Sequence, residues 1–175
     1  MGTIGTRGYA LIAMVLLLGG CSRVNDVVVP HEKTAREQYY FAARHMRQMI
    51  LSNEPERRQR QAMQEIRVFE KVQEYFPDDL VHTPLARLSV ADLYANLGQN
   101  EKAAKQLAQI RSEYPDNPFV VANSLYAEGI ARDTLGQYPK SQELYRECLD
   151  RFSDSDNAII KVIVADARRR YQRVR

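Results

Sequence analysis

Residues 84–117 read PLARLSVADLYANLGQNEKAAKQLAQIRSEYPDN, and the spacing inside that stretch decides the fold. Apolar residues recur at helical intervals on both sides of Gly98, which predicts helices at about 83–97 and 101–114. Gly98 stands between them, where a tight turn favours a residue without a Cβ. Pro115, with Pro118 close behind, ends the second helix.

The same pattern extends in both directions. Ala35, Tyr39, Ala42, Met46 and Met49 step by four, three, four and three, marking a helix at about 32–52. Ser52-Asn53-Glu54-Pro55 interrupts, and Pro55 suits the first turn of the next helix. Met63, Ile66, Phe69, Val72 and Phe76 form that helix's apolar stripe, which Pro77-Asp78-Asp79 closes. Further helices are expected at about 118–135, 140–152 and 156–172, separated by Gly136 with Pro139 and by Ser153-Asp154-Ser155. About seven helices without a strand pattern make the chain all-α. Connections this short set neighbouring helices antiparallel.

The breakers recur at a fixed interval. Pro77 to Pro115 is 38 residues, as is Gly98 to Gly136. Adding 38 to Pro115 reaches Ser153. The corners read Tyr75-Phe76-Pro77-Asp78, Glu113-Tyr114-Pro115-Asp116 and Arg151-Phe152-Ser153-Asp154. A fixed period with turn residues at matching offsets is the mark of a solenoid.

At residues 84–117 the chain resembles a tetratricopeptide repeat. Ala91 and Ala103 fall at the small positions where the two helices cross, Tyr94 at the aromatic position, Gly98 at the turn and Pro115 at the close. Residues 122–155 match more loosely: Gly129, Gly136, Ser141 and Tyr145 fit, while Arg132 replaces the aromatic and Ser153 the proline. In the preceding unit only the second helix is in register, through Phe69 and Pro77. The last helix would cap the stack. The resemblance implies a helical-hairpin solenoid over residues 32–175.

Residues 1–20 differ from the rest. Arg7 precedes an apolar run from Ala10 to Leu18, about half the length that spans a bilayer, which is a signal-peptide pattern. Leu18-Gly19-Gly20-Cys21 resembles the bacterial lipobox, in which small residues admit the peptidase and the Cys thiol accepts diacylglycerol. Cys21 is therefore the expected lipidation site, and three acyl chains would anchor stably. By the same resemblance Ser22, in place of an Asp, favours the outer membrane, facing the periplasm. Residues 21–31 read as a lipidated tether, whose valines could also pack on the domain or on a partner.

Charge excludes some functions. Without Arg7 the remainder carries 24 basic and 22 acidic residues, which is no nucleic-acid signature. The balance is uneven, because residues 158–175 hold six basic residues and one acid. Arg168, Arg169, Arg170, Arg173 and Arg175 crowd a helix C-terminus, where the dipole accounts for one or two of them. An acidic partner or anionic lipid could use the others, and a solvated tail is the plain alternative.

No constellation points to catalysis. His31, His45 and His82 lack the spacing of a metal site, and no phosphate loop or nucleophile elbow is present. The carboxylates read as solvated helix faces, as with Glu70, Lys71 and Glu74. Cys148 lies on an apolar stripe with Leu144 and Phe152 and reads as a buried thiol. The chain is expected to be no enzyme, with no cofactor, no metal and no small-molecule substrate.

Binding is the better expectation. The resemblance implies a concave surface lined by the first helix of each repeat. Its groove positions transfer to Leu88, Asp92 and Asn96, and to Tyr126, Ile130 and Asp133. Leu88 and Ile130 could equally be core, whereas Asp92, Asn96 and Asp133 are expected to be exposed. A signal peptide followed by repeats with Tyr-Pro-Asp-x-Pro corners is similar to BamD-like lipoproteins of the outer-membrane β-barrel assembly machinery. It is also similar to the repeat part of periplasmic cell-division coordinators, although about three repeats is fewer than BamD-like chains hold. The resemblance implies envelope proteins of a membrane complex as partners. The alternative is a structural lipoprotein of a secretion, pilus or cell-wall apparatus.

Overall fold

A computed structural model of the protein describes residues 27–48 and 54–173. The expected signal peptide, Cys21, Met49 and Arg175 lie outside the described residues. Among the described residues there are seven helices and no strand: α1 (Ala35–Gln48), α2 (Pro55–Tyr75), α3 (His82–Asn96), α4 (Asn100–Glu113), α5 (Pro118–Thr134), α6 (Tyr138–Phe152) and α7 (Ala158–Arg173). This is the all-α hairpin solenoid that the 38-residue period predicts.

The turns form for the reasons the breakers suggest. Gly98 and Gly136 have φ of 75° and 73°, a region that a Cβ disfavours. Beyond each, a backbone N–H reaches back to the helix end: Gln99 donates to the Tyr94 carbonyl and Gln137 to the Arg132 carbonyl, both at 2.9 Å. That bond satisfies a carbonyl the helix leaves open. At the opposite corners side chains cap the next helix. The Asn117 side chain accepts from the Val120 N–H at 3.1 Å, and Asn157 accepts from the Ile160 N–H at 3.2 Å.

Each helix packs on the next, and α1, α3, α5 and α7 also touch in that order. The even-numbered helices α2, α4 and α6 make no contacts with one another. Helices that meet along one layer and splay along the other follow a curve, with the touching layer inside it. The odd-numbered helices therefore line the concave face. The outer splay leaves a cavity of about 180 Å³ bordered by Phe69, Gln73, Gln106 and Ile110.

Three apolar clusters follow one another along the stack. The first holds Ala42, Ile66, Phe69, Val72 and Tyr94. The second holds Leu88, Ala91, Leu107, Ile110 and Val120, and the third Val121, Leu125, Leu144, Tyr145, Cys148 and Ile160. Ala91 and Ala103 are both completely buried, as small residues at a close crossing should be. Gly129 is tighter still, since a Cβ there would stand 2.4 Å from Cε1 of Tyr145.

Two expectations need correction. Met46 is at the rim of the α1 stripe, while Gln38 is fully buried and its Oε1 accepts the Glu32 N–H at 2.9 Å. Glu65 and Glu128 are 1% and 2% exposed, so the carboxylates are not all on solvated faces. Of the placements left open for the tether's valines, Val27 and Val29 take the one on the domain, packing on the first cluster, and His31 stacks on Tyr75 with ring centroids 4.1 Å apart.

Candidate functional site: the concave face

The inner face of α3 is open. Asp92 and Asn96, one helical turn apart, are exposed as expected. Leu88 is 5% exposed and packs with Leu107 and Ile110, so it belongs to the core and not to the groove. Asp92 combines accessibility with crowding. Solvent reaches it, yet surrounding protein pushes its carboxyl up to about 6, and no described cation opposes the shift. That pairing of properties is what a concave position produces. The other ion on α3, Arg87, is taken outward by a salt bridge to Glu113 on α4.

On α5 the inner face is partly closed by α7. Asp133, expected to be exposed, has a side chain only 13% accessible. Nη2 of Arg173 donates to its Oδ2 at 2.9 Å, and Nη1 of Arg170 stands 3.8 Å from the same oxygen. The Arg170 guanidinium also lies 5.9 Å from the Tyr126 ring centroid, with Nε donating to the hydroxyl at 3.4 Å. Two sets of residues assigned to separate sites thus meet in one cluster. Tyr126 and Asp133 are in contact with α7, Arg170 and Arg173 are engaged rather than spare, and Tyr126 lines a cavity of about 370 Å³ with Asp166, Arg169, Arg170 and Arg173. The cause is that α7 packs on α5 as well as on α6, joining the inner layer as a further helix of the solenoid. Ile130 is half-buried beside this cluster, and Arg168 and Arg169 point to solvent, Arg169 in an ion pair with Asp166.

Sequence reasoning missed an ion network between α4 and α5. Glu128 accepts from Nη1 of Arg111 at 3.0 Å and lies 3.4 Å from Nε of Arg132. Arg132 donates in turn to Glu101 at 3.0 Å and to Gln137 at 2.9 Å. The available signal was Arg132 at the aromatic position, one turn after Glu128. A second pair, half-buried His45 Nδ1 with buried Glu65 Oε1 at 2.7 Å, ties α1 to α2.

The reactive side chains are set for structure. Burial pushes the Cys148 thiol up to about 11 and the Tyr145 hydroxyl up to about 12, so both are protonated near neutral pH. Among the described residues no group of three His, Cys, Asp or Glu side chains could hold a metal ion. No described helix is long and apolar enough to cross a membrane.

A family model described as Tetratricopeptide repeat matches residues 86–117. These residues cover α3 from its second turn, all of α4 and the corner after it, the stretch whose helix pair carries Asp92 and Asn96. No curated protein matches the chain. The match identifies a tetratricopeptide-repeat unit, a module that mediates protein–protein interaction, and the helices around it extend the unit into a solenoid.

Proposed function

We propose that this chain is a lipid-anchored adaptor of the bacterial envelope, held at the outer membrane through Cys21 and binding protein partners on its concave face. The observation that carries the binding half is the open inner face of α3, where Asp92 and Asn96 stand exposed between two packed repeats. The Leu18-Gly19-Gly20-Cys21 motif supports the anchor. A BamD-like part in outer-membrane protein assembly is the finer reading, and it rests on the lipobox together with the repeat corners.

Two experiments test the halves separately. Metabolic labelling with a lipid precursor should mark the wild-type chain and vanish in Cys21→Ala; labelling that persists sinks the anchor. A photo-crosslinker placed at Asn96 should capture an envelope protein in cells. Asn96 suits this better than Tyr126, whose ring is covered by Arg170. If the Asn96 crosslinker yields no protein adduct, the groove reading fails.

The alternative, a structural lipoprotein that docks through its C-terminal end, is favoured by one observation. Ile159 and Val162 on α7 are each 62% exposed, on the same helix as solvent-facing Arg168 and Arg169. Ile159→Ser with Val162→Ser should abolish membrane-complex association under this reading and leave it intact under the first.

A further inference from the structure

Among the described residues α7 packs on α5 and α6 and on no other helix. Counting from the N-caps identifies the face this leaves bare. Asn117 opens α5 and Asn157 opens α7, each accepting the N–H three residues on. On that count Ile159, Val162, Ala165 and Arg169 take the places of Phe119, Ala122, Leu125 and Gly129. In α5 this face receives the following helix: Sγ of Cys148 lies 3.9 Å from the Ala122 carbonyl oxygen, and the Tyr145 ring covers Gly129. In α7 all four residues are exposed. Terminal units of a solenoid ordinarily turn a polar face outward, so the aliphatic pair Ile159 and Val162 marks a contact surface. Arg169 makes it unlike a seat for one more hairpin. At the same place α5 has no room even for a Cβ, so a helix crossing as closely as α6 does would strike the guanidinium.

We propose that this face of α7 pairs with the same face of a second copy of the chain, the two helices antiparallel about a two-fold axis at Val162. The face is complementary to itself in that direction. Val162 lies three residues from both Ile159 and Ala165, and six and seven from Asp156 and Arg169. Antiparallel pairing therefore sets Val162 on Val162, the large Ile159 on the small Ala165, and the acid Asp156 on the base Arg169, each twice. The present partners of these charges are weak ones: Asp156 stands 3.6 Å from Lys161, and Arg169 pairs with Asp166 at the surface. Parallel pairing would set like charges together. Head-to-tail stacking would bring Arg168 and Arg169 to the α1 end, whose exposed side carries Arg36, Arg44 and Arg47. Contact along a helix of about 24 Å is small for a permanent dimer, so the affinity should be micromolar. This pairing is independent of the groove on α3 and competes with C-terminal docking to a different protein.

The test is sedimentation velocity of the full chain in detergent across a concentration series. The wild type should pass from one copy to two. Ile159→Ser with Val162→Ser should weaken the dimer about a hundredfold. Asp156→Lys and Arg169→Glu should each weaken it about tenfold, and both changes in one chain should restore it, because the swapped charges again meet their opposites. All four positions are exposed, so an unchanged helical circular dichroism spectrum separates lost pairing from lost fold. A wild type that stays monomeric overturns the inference and leaves this face to the docking reading. A dimer indifferent to the two serines overturns it as well. A dimer that the serines break but the charge swap fails to restore overturns the antiparallel two-fold.

Discussion

The two central hairpins, α3–α4 and α5–α6, repeat at 38 residues yet are held by different chemistry. In α3 the positions 90 and 94 are Val and Tyr, buried in the first apolar cluster, with Nζ of Lys102 3.7 Å from the Tyr94 ring centroid. In α5 the corresponding positions are Glu128 and Arg132, joined to Arg111 and Glu101 of α4. The inner faces differ in the opposite sense. That of α3 keeps an uncompensated acid open to solvent, whereas that of α5 is closed by Arg170 and Arg173 from α7. An apolar interior thus accompanies a free charge on the surface in one hairpin, and an ionic interior accompanies a neutralised surface in the other. The lesson is that equal spacing specifies the backbone, while the side chains at equivalent places divide binding from support.

The strongest way to break this contrast is Glu128→Ala. It leaves Arg111 and Arg132 without their shared carboxylate inside the structure, a loss of about 3 kcal/mol. For a chain this long the midpoint of thermal unfolding should fall by roughly 6–12 °C. The double change Glu128→Val with Arg132→Tyr copies the α3 pair into α5 and should recover most of that loss, because a well-packed apolar pair commonly matches a buried ionic one. A double variant no more stable than Glu128→Ala would mean that the two hairpins are not interchangeable at these positions.

Next comes the crossing of α5 with α6. Gly129→Ala forces its new methyl into the ring of Tyr145, which is itself completely buried. Overpacking of this kind costs about 1–3 kcal/mol, readable as a shifted denaturant midpoint. At the equivalent place in α3, Ala91 already carries the methyl, so the two crossings share a position but not a separation. Stability unchanged in Gly129→Ala would show that Tyr145 can move aside.

Much of this was legible beforehand, for particular reasons. Gly98, Gly136 and Pro115 punctuate the chain because their backbone limits act locally, so the helices and the solenoid follow from them directly. The exposure of Asp92 and Asn96 followed from their placement on one repeat. The closure of Asp133 did not, since its partners lie 37 and 40 residues further along and meet it only through the packing of α7 on α5. Gln38, Glu65 and Glu128 escaped notice because apolar periodicity counts a buried polar residue as a gap in the stripe. Arg132 was the one visible clue, a charge at a place where the repeat expects a ring. Leu88 went the other way, a groove position by analogy that the core absorbed.

A smaller effect should come from Asp133→Ala. The arginines it releases are partly exposed, so the stability loss should be at most about 1 kcal/mol. The local signature is clearer: amide exchange in the last two turns of α7 should quicken, while exchange in α3 stays as it was. Retention on a cation exchanger should rise, because Arg170 and Arg173 lose their internal counter-ion. Should α7 exchange as slowly as before, its contact with α5 rests on the apolar residues Ile160 and Val164 rather than on the charges.

The smallest expected change, Asp92→Asn, has the opposite sign. A carboxyl at about 6 in the folded chain, against an ordinary 3.8, holds its proton more tightly folded than unfolded. Its ionisation therefore costs the fold increasingly as the pH rises from about 4 to 6, and the cost persists above that window. Asparagine removes the penalty. The melting midpoint should rise at pH 7.5, by on the order of 1 °C given how well solvent screens the site, and should not change at pH 3.5. Equal shifts at both values would assign the gain to hydrogen bonding rather than to charge. A gain confined to the higher pH, with partner binding lost in the same variant, would mark Asp92 as a residue kept at some expense to stability for what it binds.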